Sequence, residues 1–298
     1  MAALPNPRQY GPRRGPAASL LAALALAALA LGLATCAPRR ELPPPGAAPP
    51  PAGPTHRVLF IHGYRGETWF WDRFWLAALR FLPANCEAYI VTGLPGLMGA
   101  TEEAGPEGPL AALEAWLAAQ AIPYENLHLV AHSMGGLLAR RFVTAHPGAV
   151  RQVFLLGTPS GGVNMLGALN PGGWCTPAGI AAFNAANPPD PRVKWYVLAG
   201  DRFKDGSGGA VTEPYPNDGV VSVTSVLEFV RLCGDSVAVV WATLPLTHPT
   251  WNWGENLLES KQSIRWVMTG LLADIAPGAV LDEREPRARA AGEGPAAP

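Results

Sequence analysis

Short apolar runs alternate with longer stretches of helical periodicity from residue 56 onward. The runs span four to seven residues and are rich in Val, Leu and Ile, which is typical of buried strands. They predict six strands, at residues 57–61, 88–91, 127–131, 152–156, 193–199 and 237–243. Periodic apolar positions predict four helices, at residues 69–82 (capped by Thr68), 110–120, 137–145 and 255–272.

The alternation of strands and helices predicts one α/β domain over residues 56–275. Strands joined through helices form right-handed βαβ units, which build a mostly parallel, doubly wound sheet covered by helices on both faces. Residues 92–107 and 163–191 are rich in Gly and Pro and are predicted to be irregular. We see no internal repeat.

The first 36 residues have the layout of a secretory signal peptide. Residues 1–16 carry three arginines and no acidic residue, and residues 17–34 form an apolar run. The run is near the lower length limit for a membrane anchor, but its alanine content favours a signal. It ends Leu33-Ala34-Thr35-Cys36, which resembles a bacterial lipoprotein processing site. We therefore expect export, with Cys36 lipidated and holding the protein at the membrane, or with plain secretion as the alternative.

Two further segments lie outside the predicted domain. Residues 37–54 contain eight prolines with alanine and glycine, which favours a semi-rigid, partly polyproline linker at residues 37–55. At about 3.1 Å per residue, such a linker extends on the order of 50 Å. Residues 276–298 are rich in Pro, Ala, Arg and Glu and are predicted to be a disordered tail.

Composition indicates the size of the core and excludes one class of partner. The 298 residues are 49% apolar and include ten tryptophans, enough to bury a sizeable core. The formal net charge is −1, and the region beyond residue 35 carries about −4 without a basic block. We therefore expect no nucleic-acid partner. The composition favours no particular oligomeric state.

One predicted strand turns directly into a helix at a serine. The strand 127–131 is followed by His132-Ser133-Met134-Gly135-Gly136, and a helical pattern begins at Leu137. Small residues around Ser133 allow the strand and the helix to approach closely, and a strained turn exposes the hydroxyl group. Ser133 is therefore the candidate nucleophile, and a plain helix N-cap is the simpler alternative.

A serine nucleophile requires a base and an acid that orients the base. The expected chain order of such a triad is serine, acid, histidine, each at the end of a strand. His248 follows the last predicted strand in a proline-containing loop and is the candidate base. Asp218, in the turn sequence 216–221, is the candidate acid, and Asp201, directly after the strand 193–199, is the alternative.

Two loops supply candidate donors for an oxyanion hole. The backbone N–H of Met134 follows the nucleophile directly, at the N-terminus of a helix. The first predicted strand ends in a tight His62-Gly63 turn, which brings the backbone N–H of Tyr64 toward the serine. We expect these two N–H groups to bind the oxyanion.

Four motifs occur in the order found in bacterial triacylglycerol lipases and esterases of the α/β-hydrolase superfamily: Phe60–Tyr64, Ala131–Gly136, Leu156–Pro159 and Asn217–Val221. The chain resembles these enzymes over roughly residues 56–272. The alanine-first elbow is similar to that of the Bacillus lipases. The resemblance implies the α/β-hydrolase fold, with a lid-like insertion in the position of residues 163–191.

The resemblance also implies a function. A member of this group is a carboxylic ester hydrolase that cleaves a small-molecule or lipid ester through a Ser133–His248–Asp218 triad and an acyl-enzyme, without a cofactor. The larger Pseudomonas and Burkholderia enzymes carry a calcium-binding aspartate two residues after the base. Thr250 stands at that position, so no metal site is implied. A phospholipase or an acyltransferase of the same fold, and a non-catalytic cell-envelope binding protein on a hydrolase scaffold, are the alternatives.

The cysteines allow two interpretations. Cys36, Cys86, Cys175 and Cys233 have no C-x-x-C spacing, which argues against a zinc ribbon or a thioredoxin-like site. Export would allow a disulfide, and Cys175 and Cys233 both lie in the loop-rich half of the chain near the candidate site. Such a bridge would match in kind the single disulfide of the larger lipases. Buried thiols are the equally supported alternative.

The helix predicted at residues 69–82 begins with a dense aromatic cluster. Its five members are Trp69, Phe70, Trp71, Phe74 and Trp75. Core packing is the commoner meaning of such a cluster, and lining of an acyl groove beside the oxyanion turn is the functional alternative. The sequence does not select an acyl chain length.

Overall fold

The structure is a computed structural model in which helices surround a single sheet. It describes residues 55–64, 66, 68–94, 107–164, 175–205, 213–248, 255–279 and 281. The predicted signal peptide at residues 1–36 with Cys36, the linker except for Thr55, and most of the predicted tail lie outside the described residues. Residues 165–174, within the expected lid-like insertion, also lie outside them.

Six parallel strands form the sheet, in the order β2-β1-β3-β4-β5-β6. Every predicted strand is present, with ends displaced by at most two residues. This arrangement confirms the predicted α/β domain with a parallel, doubly wound sheet. The strands are β1 (His56–Ile61), β2 (Cys86–Ile90), β3 (Leu127–His132), β4 (Val150–Leu156), β5 (Lys194–Gly200) and β6 (Val239–Leu244).

Six α-helices lie between and after the strands in the described residues. They are α1 (Asp72–Phe81), α2 (Glu107–Ala119), α3 (Met134–Ala145), α4 (Pro177–Ala186), α5 (Val223–Cys233) and α6 (Lys261–Ile275). The predicted cap at Thr68 is wrong, because Thr68 begins a 3-10 turn, Thr68–Trp71, and α1 starts without a side-chain cap. The last helix begins later than predicted, where the Ser260 hydroxyl accepts a hydrogen bond from the N–H of Gln262 at 3.1 Å.

Two of the helices differ from the sequence-based predictions. Residues 163–191 are not irregular throughout, since α4 lies inside this segment, and α5 was not predicted at all. Both helices begin at a side-chain cap, which satisfies N–H groups that the helix leaves unpaired. The Thr176 hydroxyl accepts from the N–H of Gly179 at 3.3 Å, and the Ser222 hydroxyl accepts from the N–H of Ser225 at 3.2 Å.

The four central strands of the sheet, β1, β3, β4 and β5, are largely buried on both faces. Along β1, Leu59 and Ile61 belong to one buried cluster of apolar side chains, whereas Val58 and Phe60 belong to the other. Alternate residues of a strand point to opposite faces, so continuous apolar strands fit a sheet covered on both sides. Within the described ranges, no helix has the length and apolar character needed to span a membrane.

The strand order reverses between β1 and β3, and such a reversal creates a crevice at the carboxyl ends of these strands. The chain passes from β1 to β2 on one side, and then returns to place β3 on the other side of β1. In open parallel sheets, ligands bind at the carboxyl ends of the strands where the order reverses in this way. Ser133 directly follows β3 and His62 directly follows β1, so both lie at this reversal.

A chain of hydrogen bonds between buried polar side chains links β1, β3 and β4 to α6. The amide nitrogen of Gln152 donates to the carbonyl oxygen of Gly270 at 2.7 Å, which leaves its oxygen to accept from His128 Nδ1 at 2.7 Å. His128 Nε2 then accepts from His56 Nδ1 at 2.9 Å. Burial lowers the pKa of His128 to about 4, with His56, Arg151 and Asp274 as the charged or titratable neighbours.

We expect the free energy of unfolding to decrease as the pH falls from about 6.5 to 4. The unfolded chain protonates His128 near its ordinary pKa of 6.5, whereas the folded chain keeps it neutral down to about pH 4. Protons therefore bind preferentially to the unfolded chain in this window, at a cost of roughly 3 kcal/mol over the whole range. Urea unfolding at pH 7 and pH 4.5 measures the loss, and an equal loss in His128→Gln would contradict its assignment to His128.

Candidate active site

A sharp turn joins β3 to α3 at Ser133. Its backbone has φ 55° and ψ −128°, a conformation that non-glycine residues adopt only under strain. The Ser133 N–H donates to the carbonyl oxygen of Leu156 at 2.9 Å, and its carbonyl oxygen accepts from the N–H of Gly136 at 3.0 Å. The Ser133 hydroxyl caps no helix N–H, so the simple N-cap interpretation does not describe it.

The loop after β1 packs directly against this turn. A Cβ atom on Gly63 would lie 2.6 Å from Ser133 Cβ and 3.2 Å from its Oγ. A Cβ atom on Gly135 would collide with the carbonyl oxygen of His62. Glycine at both positions is therefore required for the loop after β1 to approach the turn at Ser133.

The two candidate oxyanion donors lie beside the candidate nucleophile. Met134 is the first residue of α3, and the first N–H groups of a helix have no partner within the helix. Tyr64 follows Gly63, and both Tyr64 and Met134 line the same cavity as Ser133. The turn at His62 is fixed by a contact of 2.8 Å between His62 Nδ1 and the carbonyl oxygen of Gly63.

The candidate base and acid contact each other in the interior. His248 Nδ1 lies 2.8 Å from Asp218 Oδ2, and the backbone N–H of His248 donates to the carbonyl oxygen of Asp218 at 2.7 Å. The His248 residue is 2% exposed and Asp218 is fully buried. A buried carboxylate at this distance orients the imidazole, since it accepts the Nδ1 proton and leaves Nε2 as the basic nitrogen.

The other oxygen of Asp218 holds the carboxylate in place. Asp218 Oδ1 accepts from the N–H groups of Val220 at 2.9 Å and Val221 at 2.7 Å. The alternative acid, Asp201, has its carboxylate 3.5 Å from Lys204 Nζ. The carboxylate that contacts His248 Nδ1 is thus that of Asp218.

Two glycines pack against the Asp218–His248 pair, and neither was a predicted site residue. Gly157 has φ 57°, and a Cβ atom there would lie 3.1 Å from Asp218 Oδ2 and 3.3 Å from His248 Nδ1. A Cβ atom on Gly200 would lie 2.7 Å from Asp218 Cβ. Their positions are the sequence signal that could have identified them, because Gly157 directly follows β4 and Gly200 ends β5, and both strands lead toward the site.

His132 is a second imidazole in the site, and the sequence had placed it only in its turn. Its ring centroid lies 4.4 Å from that of His248, and its Nε2 is buried without a hydrogen-bond partner in the described residues. Burial holds the pKa of His132 well below its ordinary value, with His248 and His62 acting in the same direction. A neutral His132 adds no positive charge beside His248.

A small cavity of about 80 Å³ contains the candidate nucleophile and base. Its polar lining residues are His62, Tyr64, His132, Ser133 and His248. Its other lining residues are Gly66, Phe70, Met134, Pro159, Val163, Cys175, Val220, Val221 and Leu258. Of the aromatic cluster, Trp71 and Phe74 are buried in the core, as the commoner interpretation expects, whereas Phe70 lines the cavity.

The Cys175–Cys233 disulfide is not formed, and both residues are thiols. They belong to different surroundings: the carbonyl oxygen of Cys175 accepts from the N–H of Val163 at 2.9 Å beside the cavity, whereas Cys233 ends α5 near the buried Arg140. Burial raises the pKa of the Cys175 thiol to about 12 and that of the Cys233 thiol to about 11.

Within the described ranges, no group of three or more His, Cys, Asp or Glu residues is arranged to hold a metal ion.

A sequence model of a family described as the alpha/beta hydrolase family matches residues 58–292. This span covers most of the chain. The chain belongs to the alpha/beta hydrolase family. No curated protein sequence matches this hydrolase.

The chain is similar to several solved structures at low sequence identity. The mature Bacillus licheniformis lipase BlEst2 is 18% identical, with a TM-score of 0.48 over 76% of this chain and 93% of that one. The phospholipase PlaB from Legionella pneumophila is 14% identical, with a TM-score of 0.54 over 72% of this chain and 58% of that one. The RedJ thioesterase from Streptomyces coelicolor is 16% identical, with a TM-score of 0.45 over 80% of this chain and 97% of that one.

Proposed function

We propose that this hydrolase is an exported enzyme that cleaves carboxylic esters, with Ser133 as nucleophile, His248 as base and Asp218 as acid. The observation that carries the proposal is the buried Asp218–His248 contact of 2.8 Å, whose imidazole lines the same small cavity as the strained Ser133. A positive φ at a serine and a fully buried carboxylate in contact with a histidine are each uncommon. A serine and a carboxylate-bound histidine that line one cavity are what acyl transfer to serine requires.

The first half of the reaction transfers the acyl group to the enzyme. Ser133 Oγ attacks the ester carbonyl carbon while His248 Nε2 takes the hydroxyl proton, and Asp218 stabilises the resulting imidazolium through Nδ1–H. The carbonyl oxygen becomes an oxyanion that the N–H groups of Tyr64 and Met134 bind. The C–O bond to the alcohol then breaks, and His248 Nε2 gives its proton to the departing alcohol.

The second half releases the acid and restores the serine. A water molecule gives a proton to His248 Nε2 and attacks the acyl carbon, and the same two N–H groups bind the second oxyanion. The bond from the carbon to Ser133 Oγ breaks, and Oγ recovers the proton from His248. The products are one carboxylic acid and one alcohol for each ester and water consumed.

A fluorescent fluorophosphonate tests the nucleophile, because it reacts covalently with activated serines. We expect the full-length chain to be labelled and Ser133→Ala to be unlabelled, with its turnover of p-nitrophenyl esters reduced by about 10⁴-fold or more. Ser160→Ala is the matched control, since Ser160 is also a buried serine in a loop after a strand, and it should label normally. No labelling of the folded chain would contradict the proposal and favour the non-catalytic binding protein.

The same labelling, applied to fractionated cells, tests export and lipidation. We propose that the N-terminal segment exports the protein and that Cys36 carries a lipid, so the label should appear in the membrane fraction. Label in the medium or periplasm would favour plain secretion instead. Label confined to the cytoplasm would contradict export and leave the proposed chemistry untouched.

A further inference from the structure

The cavity that contains Ser133 is small for a site that would accept a lipid chain. Its volume is about 80 Å³, whereas pockets that enclose drug-sized ligands measure roughly 300–1,000 Å³. Two larger grooves, of about 550 Å³ beside α4 and α5 and about 520 Å³ beside β6 and α6, have neither Ser133 nor His248 among their described lining residues. The size of the cavity around Ser133 is therefore the relevant limit on the acyl group.

One wall of the cavity is formed by Val163 and Cys175. Both side chains are buried in the same apolar cluster as Met134 and Val221, which also line the cavity. Burial keeps the Cys175 thiol protonated, since its pKa is raised to about 12, so it acts as an apolar surface. This wall is therefore apolar and suited to a hydrocarbon chain.

The backbone behind this wall is closely constrained. Val163 N–H donates to the carbonyl oxygen of Cys175 at 2.9 Å, and the Ser225 hydroxyl donates to the carbonyl oxygen of Gly162 at 2.6 Å. Gly161 N–H donates to the carbonyl oxygen of Ser225 at 2.8 Å. A Cβ atom on Gly162 would lie 2.5 Å from the backbone nitrogen of Pro177, so the wall packs tightly against the start of α4. A wall fixed to two helices does not withdraw to admit a longer chain without breaking these contacts.

We propose that the wall formed by Val163 and Cys175 limits the substrates to esters of short-chain acids, from acetyl to butyryl. The volume of about 80 Å³ is roughly a quarter of the smallest volume typical of pockets that enclose drug-sized ligands, so it favours acyl groups of a few carbons. A butyryl group has four carbons, and each added methylene makes a poorer fit to this space. The inference rests on the proposed ester hydrolysis at Ser133, and it separates an esterase from a lipase.

A chain-length series on the full-length protein tests the inference. We expect kcat/KM for p-nitrophenyl butyrate to exceed that for the octanoate by at least about tenfold, since each methylene that does not fit costs roughly tenfold or more. Fluorophosphonate labelling of Ser133 is measured on the same samples. Equal turnover of butyrate and octanoate with Ser133 labelled would overturn the inference and leave the proposed function standing. Absence of labelling and of turnover would overturn both.

Enlarging the wall tests the two residues directly. Val163→Ala and Cys175→Ala should each raise the hexanoate-to-butyrate ratio of kcat/KM by about tenfold. Val240→Ala and Cys86→Ala make the same substitutions away from the cavity and should leave the ratio unchanged. Thermal unfolding checks that each variant is folded. If a variant does not fold, the chain-length series of the wild-type protein still tests the inference. An unchanged ratio in both folded wall variants would overturn the assignment to Val163 and Cys175.

Discussion

Replacing Asp218 by asparagine is expected to lower kcat for ester hydrolysis by about 10⁴-fold, the size of the effect in protease triads. The amide oxygen can still accept from the N–H groups of Val220 and Val221, so the turn at residues 217–221 is retained. The amide nitrogen, however, is a donor and cannot accept the Nδ1 proton of His248. The imidazole then carries its proton on Nε2 and no longer acts as a base toward Ser133.

Asp201→Asn is the matched control for this experiment. Asp201 is the other carboxylate at a strand end, and it lies 3.5 Å from Lys204 Nζ. We expect this variant to retain activity within about threefold, because the carboxylate of Asp201 pairs with Lys204 whereas His248 contacts Asp218. Steady-state kinetics on p-nitrophenyl butyrate, with circular dichroism as a check on folding, compares the two. A large loss in Asp201→Asn with little loss in Asp218→Asn would reverse the assignment of the acid.

Gly157→Ala is expected to lower kcat by about 10²-fold without removing any group from the site, the scale expected for a displaced catalytic group. The new Cβ atom would lie 3.1 Å from Asp218 Oδ2, 3.3 Å from His248 Nδ1 and 2.8 Å from Leu257 Cδ1. These distances force the acid and the base to move by a few tenths of an ångström. The φ of 57° adds a backbone cost of about 1 kcal/mol to the free energy of unfolding.

Gly148→Ala separates the two effects of this substitution. Gly148 also has a positive φ, 86°, but a Cβ atom there would have no other atom within 4 Å. Its variant should lose about 1 kcal/mol of stability and retain wild-type kcat. Kinetics and urea unfolding on both variants make the comparison. If Gly157→Ala were stable and fully active, the close packing beneath the acid and base would have no role in catalysis.

The parts of the fold and of the candidate site that could be predicted depend on local sequence. A buried parallel strand must be apolar along its whole length, and its end must change abruptly, so β1, β3 and the turn at Ser133 are visible in the residues themselves. Parallel strands bring their carboxyl ends together, which explains why residues far apart in sequence were expected at one edge.

The remaining features depend on contacts between distant segments. The helix α5 is the exception, because Ser222 as cap and apolar Val226 and Phe229 at helical spacing are local signals that predict it. The disulfide depended on where Cys175 and Cys233 lie in space, which spacing in sequence does not determine. Gly157 contacts Asp218 and His248 from 61 and 91 residues away, so no local pattern reveals its role.

The end of β4 positions both parts of the candidate site, which are the serine and the acid–base pair. The carbonyl oxygen of Leu156 accepts a hydrogen bond from the N–H of Ser133 at 2.9 Å. The next residue, Gly157, packs against Asp218 and His248. His248 is in turn bound to Asp218 through both its side chain and its backbone, so acid and base move together. The separation between this pair and the serine is therefore set by two adjacent residues, the last residue of β4 and the residue that follows it.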